Sequence, residues 1–193
     1  MPKPDEQVIE PANATEWQSW LARHAGEATG VWLMIAKAGS GQVSVSLSDA
    51  LDVALCHGWI DSTRRRHDDA FYLQRYSPRR TRSPWSKLNV DRAEALIAAG
   101  RMQAAGLREI EAAKADGRWD AAYAPQRDFS VPADFEETLK QNPAAAKAFA
   151  RLDKSGQYAA ILPVLKASSP EQRVLRLGKA VAALEGAARA SSD

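Results

Sequence analysis

Between Ala54 and Asn89 the chain reads ALCHGWIDSTRRRHDDAFYLQRYSPRRTRSPWSKLN, which concentrates arginines, aromatic rings and helix-start residues as no other stretch does. Residues 61–92 hold nine Lys/Arg against four Asp, a local surplus of five positive charges in a chain whose formal net charge is +2. Ser83 followed by Pro84 predicts an N-cap and first helical position, with the serine hydroxyl taking an orphan amide. Arg79 and Arg82 lie just before that start, and Ser86, Lys87 and Asn89 lie just after it. Guanidinium groups beside free helix amides make a place for an anion, and two arginines with such a terminus are worth roughly 4–6 kcal/mol to it. Arg64 and Arg75 extend the positive field, Asp61 offers a carboxylate, and Trp59 and Trp85 offer rings for stacking. The expected ligand is a small anionic or phosphorylated molecule. A structural account uses the same residues: Asp61, Asp68 and Asp91 pair with the arginines while the tryptophans fill the core.

Other constellations carry less chemistry. Cys56 beside His57 has the residue types of a nucleophile and its base, but helix neighbours point about 100° apart, and Cys56 adjoins Leu55 on an apolar stripe. The expectation is a buried, inert thiol. His24, His57 and His67 fall in separate elements at no metal-ligand spacing, so neither metal nor cofactor is expected. AGSGQ, 38–42, lacks the Lys-Ser/Thr ending of a phosphate loop and reads as a turn. Asp61 beside Arg64 and Arg79 is an acid/base candidate for a hydrolase-like reaction, yet no paired carboxylates or nucleophile–base pair accompany it, and the reading leans away from catalysis. The arginines of 64–82, interleaved with Phe71, Tyr72 and Tyr76, give a nucleic-acid-binding hairpin as the alternative function.

With 193 residues, 45% apolar and 26% charged, the composition is that of a soluble globular protein, and +2 is too small for a general nucleic-acid coat. One cysteine excludes an internal disulfide. The N-terminus MPKPDEQVIEP has no basic start and apolar run of an export signal, and no apolar run approaches the ~20 residues of a membrane span. A cytoplasmic location is expected.

The elements that must position these residues follow from periodicity. Residues 1–14 read as an extended arm, and Thr15 caps a helix with Trp17, Trp20 and Leu21 on one face. GVWLMIAK, 30–37, predicts a covered strand and QVSVS a short second one. Ser48 caps the helix of Leu51, Ala54 and Leu55, with Gly58 in a left-handed conformation at its end. Trp59–Arg66 and Ala70–Ser77 predict a hairpin in which Tyr72, Gln74 and Tyr76 share one face. A helix from Pro84 with Trp85, Leu88, Ala95, Leu96 and Ile97 inward stops at Gly100, and another over Met102–Asp116, with Leu107 and Ile110 inward, stops at Gly117. After a linker at 124–132 come helices from Pro132, from Asn142-Pro143 to Leu152, around Tyr158 to Lys166, and from Ser169-Pro170, the last burying Val174, Leu177, Val181 and Leu184. The fold class is α+β. A small, twisted, mainly antiparallel sheet with helices packed on one face, over 15–123, precedes an all-helical C-terminal lobe, over 130–190.

The words ALCHGWIDS (54–62), PRRTRSPWSKLN (78–89), GRM (100–102) and AKADGRWDAAY (113–123) together resemble the YdeI/OmpD-associated, or bacteriocin-protection, family. The resemblance extends over about 15–185, taking in Val31 to Leu33 and the segment QRVLRLGKAV. It implies a small bacterial protein linked to envelope or antimicrobial-peptide stress resistance, a phenotype and not a reaction. By position it singles out Trp59, Ile60 and Asp61, then Arg79, Ser83, Trp85, Ser86 and Asn89. His57 departs from the family pattern at the position before the glycine.

Overall fold

In the computed structural model, which describes residues 7–190, the run VWLMIA becomes strand β2 (Val31–Ala36). Val8–Ile9 pairs parallel to it as β1, so the expected arm contains a strand; residues 1–6 lie outside the described part. The sheet has four strands in the order β1-β2-β4-β3, where β3 (Trp59–Arg66) and β4 (Phe71–Pro78) form the antiparallel hairpin and β2 pairs antiparallel with β4. The α+β class stands, with a mixed sheet.

Register fixes the faces. Val31, Leu33 and Ile35 lie opposite Tyr76, Gln74 and Tyr72, so these six share one side of the sheet. Helices α1 (Ala14–His24) and α2 (Leu47–Cys56) supply Trp17, Trp20, Leu21, Ala50, Val53 and Ala54 to the same core. Trp17 sits at its centre, its ring centroid 5.4 Å from Trp20, 6.3 Å from Trp59 and 5.7 Å from Tyr76, with its indole N–H donated to the Ala50 carbonyl at 3.0 Å. An aromatic side chain buried this fully removes about 150–250 Å² from water, about 4–6 kcal/mol before conformational entropy is counted.

Helix starts differ from the sequence expectation where a neighbouring capping residue wins. Asn13, not Thr15, caps α1: its side chain accepts from the Glu16 amide at 3.0 Å while the Glu16 carboxylate reaches back to the Ala12 amide at 2.9 Å. Ser46, not Ser48, caps α2 through the Asp49 amide at 3.0 Å. QVSVS forms no strand. Both edges of β2 are already paired, the Ser44 hydroxyl takes the Ala36 amide at 2.8 Å, and the Val45 amide goes to the Pro11 carbonyl at 2.8 Å. Gly58 has φ +73 as expected, which turns the chain from α2 directly into β3.

The largest correction concerns Ser83-Pro84, because helix α3 spans Lys87–Ala98 and begins three residues after Pro84. Ser86 bridges to Tyr123, with the Tyr123 amide donating to the Trp85 carbonyl at 3.1 Å and the Lys87 amide to the Tyr123 carbonyl at 2.9 Å. That pairing holds the backbone at 85–86 extended, so the helix N-terminus expected at Pro84, with its free amides, does not form there. The buried residues of α3 are Val90, Ala93 and Leu96, while Leu88 and Ile97 are exposed. In α4 (Ala104–Ala115) Ile110 is buried as expected and Leu107 is exposed.

The described residues fall into two compact units: the chain to Thr81 together with Asn89–Trp119, and Arg82–Leu88 together with the chain from Asp120. The second contains α5 (Ala133–Lys140), α6 (Pro143–Arg151), α7 (Lys154–Leu165) and α8 (Pro170–Ala190), all helical as expected. Its core is Phe135, Leu139, Ala145, Phe149, Ile161, Val164, Val181 and Leu184. Val174, expected inside, is 73% exposed; the apolar stripe of α8 turns inward only from Leu177 onward.

Candidate functional site

The β3–β4 hairpin carries the chemistry of the N-terminal unit. Asp61 lies opposite Tyr76, Arg64 opposite Gln74 and Arg66 opposite Tyr72, with the register slipping between Asp61 and Arg64. Such a bulge re-aims the side chains that follow it. Gln74, almost wholly buried, fills the bulge: its Nε2 reaches the Ser62 and Thr63 carbonyls at 3.4 and 3.3 Å, and its Oε1 accepts from Arg64 Nε at 3.1 Å. The Arg64 guanidinium also lies over the Tyr72 ring, 4.4 Å from its centroid. Two fixed partners thus hold an exposed arginine in one orientation.

The three successive arginines are not equivalent. Arg66 pairs with Asp69 at 3.0 Å. Arg65 points to the opposite side of the strand and lies 4.2 Å over the Trp32 ring. Among the described residues no carboxylate is within ion-pair distance of Arg64 or Arg65. Beneath Arg64, Tyr76 is fully buried, and its hydroxyl has no hydrogen-bond partner among the described residues. Burial pushes that phenol well above its ordinary range, and the nearby Asp61 and Tyr72 push the same way, so it stays protonated.

The remaining expected residues are distributed as follows. Trp59 is 1% exposed and belongs to the Trp17/Trp20 aromatic core. Arg75 lies opposite Trp32 with its guanidinium over Gly30, where an added Cβ would stand 2.5 Å from Nη2. Arg79 is buried, and its backbone amide donates to the Gly58 carbonyl at 3.0 Å. Asn89 is half-buried on α3. Arg82, Ser83, Trp85, Ser86 and Lys87 belong to the C-terminal unit, where Arg82 takes φ +63, Trp85 is buried and Lys87 is exposed. The structure therefore brings Asp61 and Arg64 together on one hairpin and gathers 82–87 in a separate segment. Tyr72, Gln74 and Trp32, which orient the arginines, were not among the expected site residues. The shared face of Tyr72, Gln74 and Tyr76 was the signal for the first two.

Cys56 is 5% exposed, and burial raises its thiol above the ordinary range. His57 is held below its ordinary value by burial. Among the described residues no three of His, Cys, Asp and Glu are grouped to hold a metal ion, and no helix is long and apolar enough to cross a membrane.

The fold and hairpin define a small α+β unit displaying oriented arginines on an edge strand. Residues 9–109, just over half of the chain, match the family described as Domain of unknown function (DUF8412), and the chain belongs to that family. Residues 128–186 match the family described as Bacteriocin-protection, YdeI or OmpD-Associated. That resemblance, expected over about 15–185, is thus carried by the helical C-terminal region; the words at 54–62, 78–89 and 100–102 lie within the other match. No curated protein and no solved structure matches the chain.

Proposed function

We propose that the protein binds a small anionic or phosphorylated ligand through the β3–β4 hairpin, with Arg64 as the principal contact. One observation carries this reading: the Arg64 guanidinium is oriented by Gln74 and Tyr72, while no described carboxylate lies within ion-pair distance of it. Its Nε is committed to Gln74, which leaves the two Nη groups to meet an oxyanion. Orientation before binding removes the rotamer entropy that usually weakens an exposed arginine. A charge-assisted contact of this kind is worth about 1.5–3 kcal/mol, so Arg64→Ala weakens binding about ten- to hundredfold. Asp61, on the same hairpin, then supplies specificity rather than the main attraction.

The match of residues 128–186 supports a role in bacteriocin or envelope stress. A cationic hairpin repels cationic antimicrobial peptides, so the role runs through an anionic component and not through capture of the peptide. A single cysteine supports a reducing, cytoplasmic setting. Titration with inorganic phosphate, nucleotides and anionic sugars, followed by tryptophan fluorescence, tests the proposal. Saturation in the wild type whose midpoint Arg64→Ala raises about tenfold or more and Arg66→Ala leaves in place supports it; no response to any of them, or an unchanged midpoint in Arg64→Ala, rejects it.

Nucleic-acid binding is the second reading, favoured by one observation: Arg64 and Arg65 present cations on opposite sides of an edge strand, each backed by a ring. Retention on single-stranded nucleic acid that falls steeply between about 50 and 200 mM salt identifies that case.

A further inference from the structure

The C-terminal unit carries a trough of about 420 Å³ between α7 and α8, within the roughly 300–1,000 Å³ range of small-molecule sites. Its walls are Ala159, Ala160 and Pro163 on α7 and Ala180, Ala183 and Leu184 on α8. Paired helices close over their contact where bulky side chains interlock along it. Here four alanines stand where bulkier residues would fill the gap, and the trough stays open. Leu184 is buried at its floor, while Ala159, Pro163 and Ala183 leave apolar surface in water.

The two ends of the trough differ. A short turn at 166–169 joins α7 to α8, and Pro163 lies level with Arg176, its carbonyl accepting from Arg176 Nη1 at 2.9 Å. That carbonyl is one of those the last turn of α7 leaves without a helix partner, so it fixes the guanidinium and leaves Nε and Nη2 for another acceptor. Both cations of the lining, Arg176 and Lys179, belong to this end; the other end, at Ala159, Ala183 and Leu184, is purely apolar. Arg173 and Arg189 of the same helix have carboxylate partners in Asp134 and Glu185. Among the described residues no carboxylate stands within ion-pair distance of Arg176 or Lys179, and no Asp or Glu lines the trough. From Arg176 to Leu184 the helix rises about 12 Å, at roughly 1.5 Å per residue. A saturated chain covers that length with about nine or ten carbons, at roughly 1.25 Å of zigzag per bond.

We infer that this trough binds a free medium-chain fatty acid of about eight to ten carbons. The carboxylate sits between Arg176 and Lys179, and the chain runs along the alanines toward Leu184. The two cations, which have no anionic partner of their own, select an acid over an alcohol or an amine of equal length. The apolar walls select a methylene chain, which brings no polar group to be left unmet. An extended peptide would bring a backbone amide about every 3.3 Å, with no polar wall to receive it. The length takes one such chain whole, not the paired longer chains of a phospholipid.

Isothermal calorimetry on the full chain with hexanoate, octanoate, decanoate and dodecanoate, each below its micelle concentration, tests the inference. An open trough that buries about half of each methylene gives about twofold in affinity per added carbon. Decanoate is therefore expected to bind at least tenfold more tightly than hexanoate, and dodecanoate to gain little more. Decanol and decyltrimethylammonium, which share the chain and lack the acid, are expected to bind at least tenfold more weakly than decanoate. Ala183→Trp, at an exposed position, fills the trough and is expected to abolish binding. Arg176→Gln is expected to weaken it at least tenfold and the exposed Lys179→Glu severalfold, with circular dichroism showing each variant folded. No saturation by decanoate up to about 10 mM, which covers millimolar affinities, overturns the inference. So does equal binding by decyltrimethylammonium, wild-type affinity in Ala183→Trp, or unchanged affinity in both charge variants. Failure of decanoate alongside binding to anionic phospholipid vesicles, or alongside a dimer that Ala183→Trp disperses, also overturns it and gives the trough to a membrane surface or to a second copy.

Discussion

Tyr76→Phe removes a single oxygen from the centre of the N-terminal core, and the variant is expected to be more stable than the wild type. The Tyr76 hydroxyl is buried without a hydrogen-bond partner among the described residues, and an unmet buried hydroxyl costs about 1–3 kcal/mol. The phenylalanine ring keeps the packing against Trp17, 5.7 Å away. The space left by one oxygen costs only about 0.3 kcal/mol, at about 24 cal/mol per Å³ over some 10–15 Å³. The net gain is about 1–2 kcal/mol, or about 2–8 °C in melting temperature for a chain of this size. Urea unfolding followed by tryptophan fluorescence reads it directly, because Trp17, Trp20 and Trp59 surround the site. A second arm uses the proton. Tyr76 is raised above its ordinary value of 10.0 in the folded state, so above pH 10 the unfolded chain releases this proton first and stability falls as pH rises. At full slope that loss is about 1.4 kcal/mol per pH unit, and Tyr76→Phe lacks it. Destabilisation by the substitution, or an alkaline limb unchanged from the wild type, would show instead that the hydroxyl is satisfied.

Two glycine substitutions are expected to have opposite signs. A Cβ at Gly106 would stand 2.6 Å from the carbonyl oxygens of both Leu55 and Cys56, backbone that cannot yield, so Gly106→Ala lowers stability by more than about 2 kcal/mol in urea unfolding. A Cβ at Gly178, within α8, meets nothing within 4 Å, so Gly178→Ala raises it by about 0.5–1 kcal/mol. Arg173 donates to both oxygens of Asp134, at 2.6 and 2.9 Å, and holds that carboxyl below its ordinary 3.8. The contribution is therefore present above that value and is lost as pH falls through the lower, folded one. Both side chains are more than a third exposed, so Arg173→Ala costs under about 1 kcal/mol by thermal melting near neutrality, and the part owed to the Asp134 pair disappears as the pH is taken well below that carboxyl's ordinary value.

Much of the N-terminal unit is legible in the residue pattern because period two is hard to mistake. Phe71 to Ser77 alternates cleanly, and Tyr72, Gln74 and Tyr76 do share a side of the sheet. Gly58, Gly100 and Gly117 take the left-handed conformations expected of helix stops. Helix starts are less legible where capping residues crowd together. Ser83-Pro84 has the stronger local signal, but the distant pairing of 85–87 with Tyr123 decides the matter in favour of a later start, and such pairings leave no local mark. The site shows the same division. Arginine density is plain in 64–82, whereas the reason Arg64 differs from Arg66 is a bulge and a buried glutamine ten residues away.

If Arg64 is the oriented anion contact proposed and Arg66, engaged by Asp69, is not, the two arginines respond differently to an anion. Arginine Nε–H NMR during a phosphate titration addresses it most directly, with each signal assigned by substitution. The Arg64 signal is expected to shift saturably and the Arg66 signal to stay within the drift of the other exposed arginines. Equal movement of both signals, or a static Arg64 signal at saturating phosphate, contradicts it.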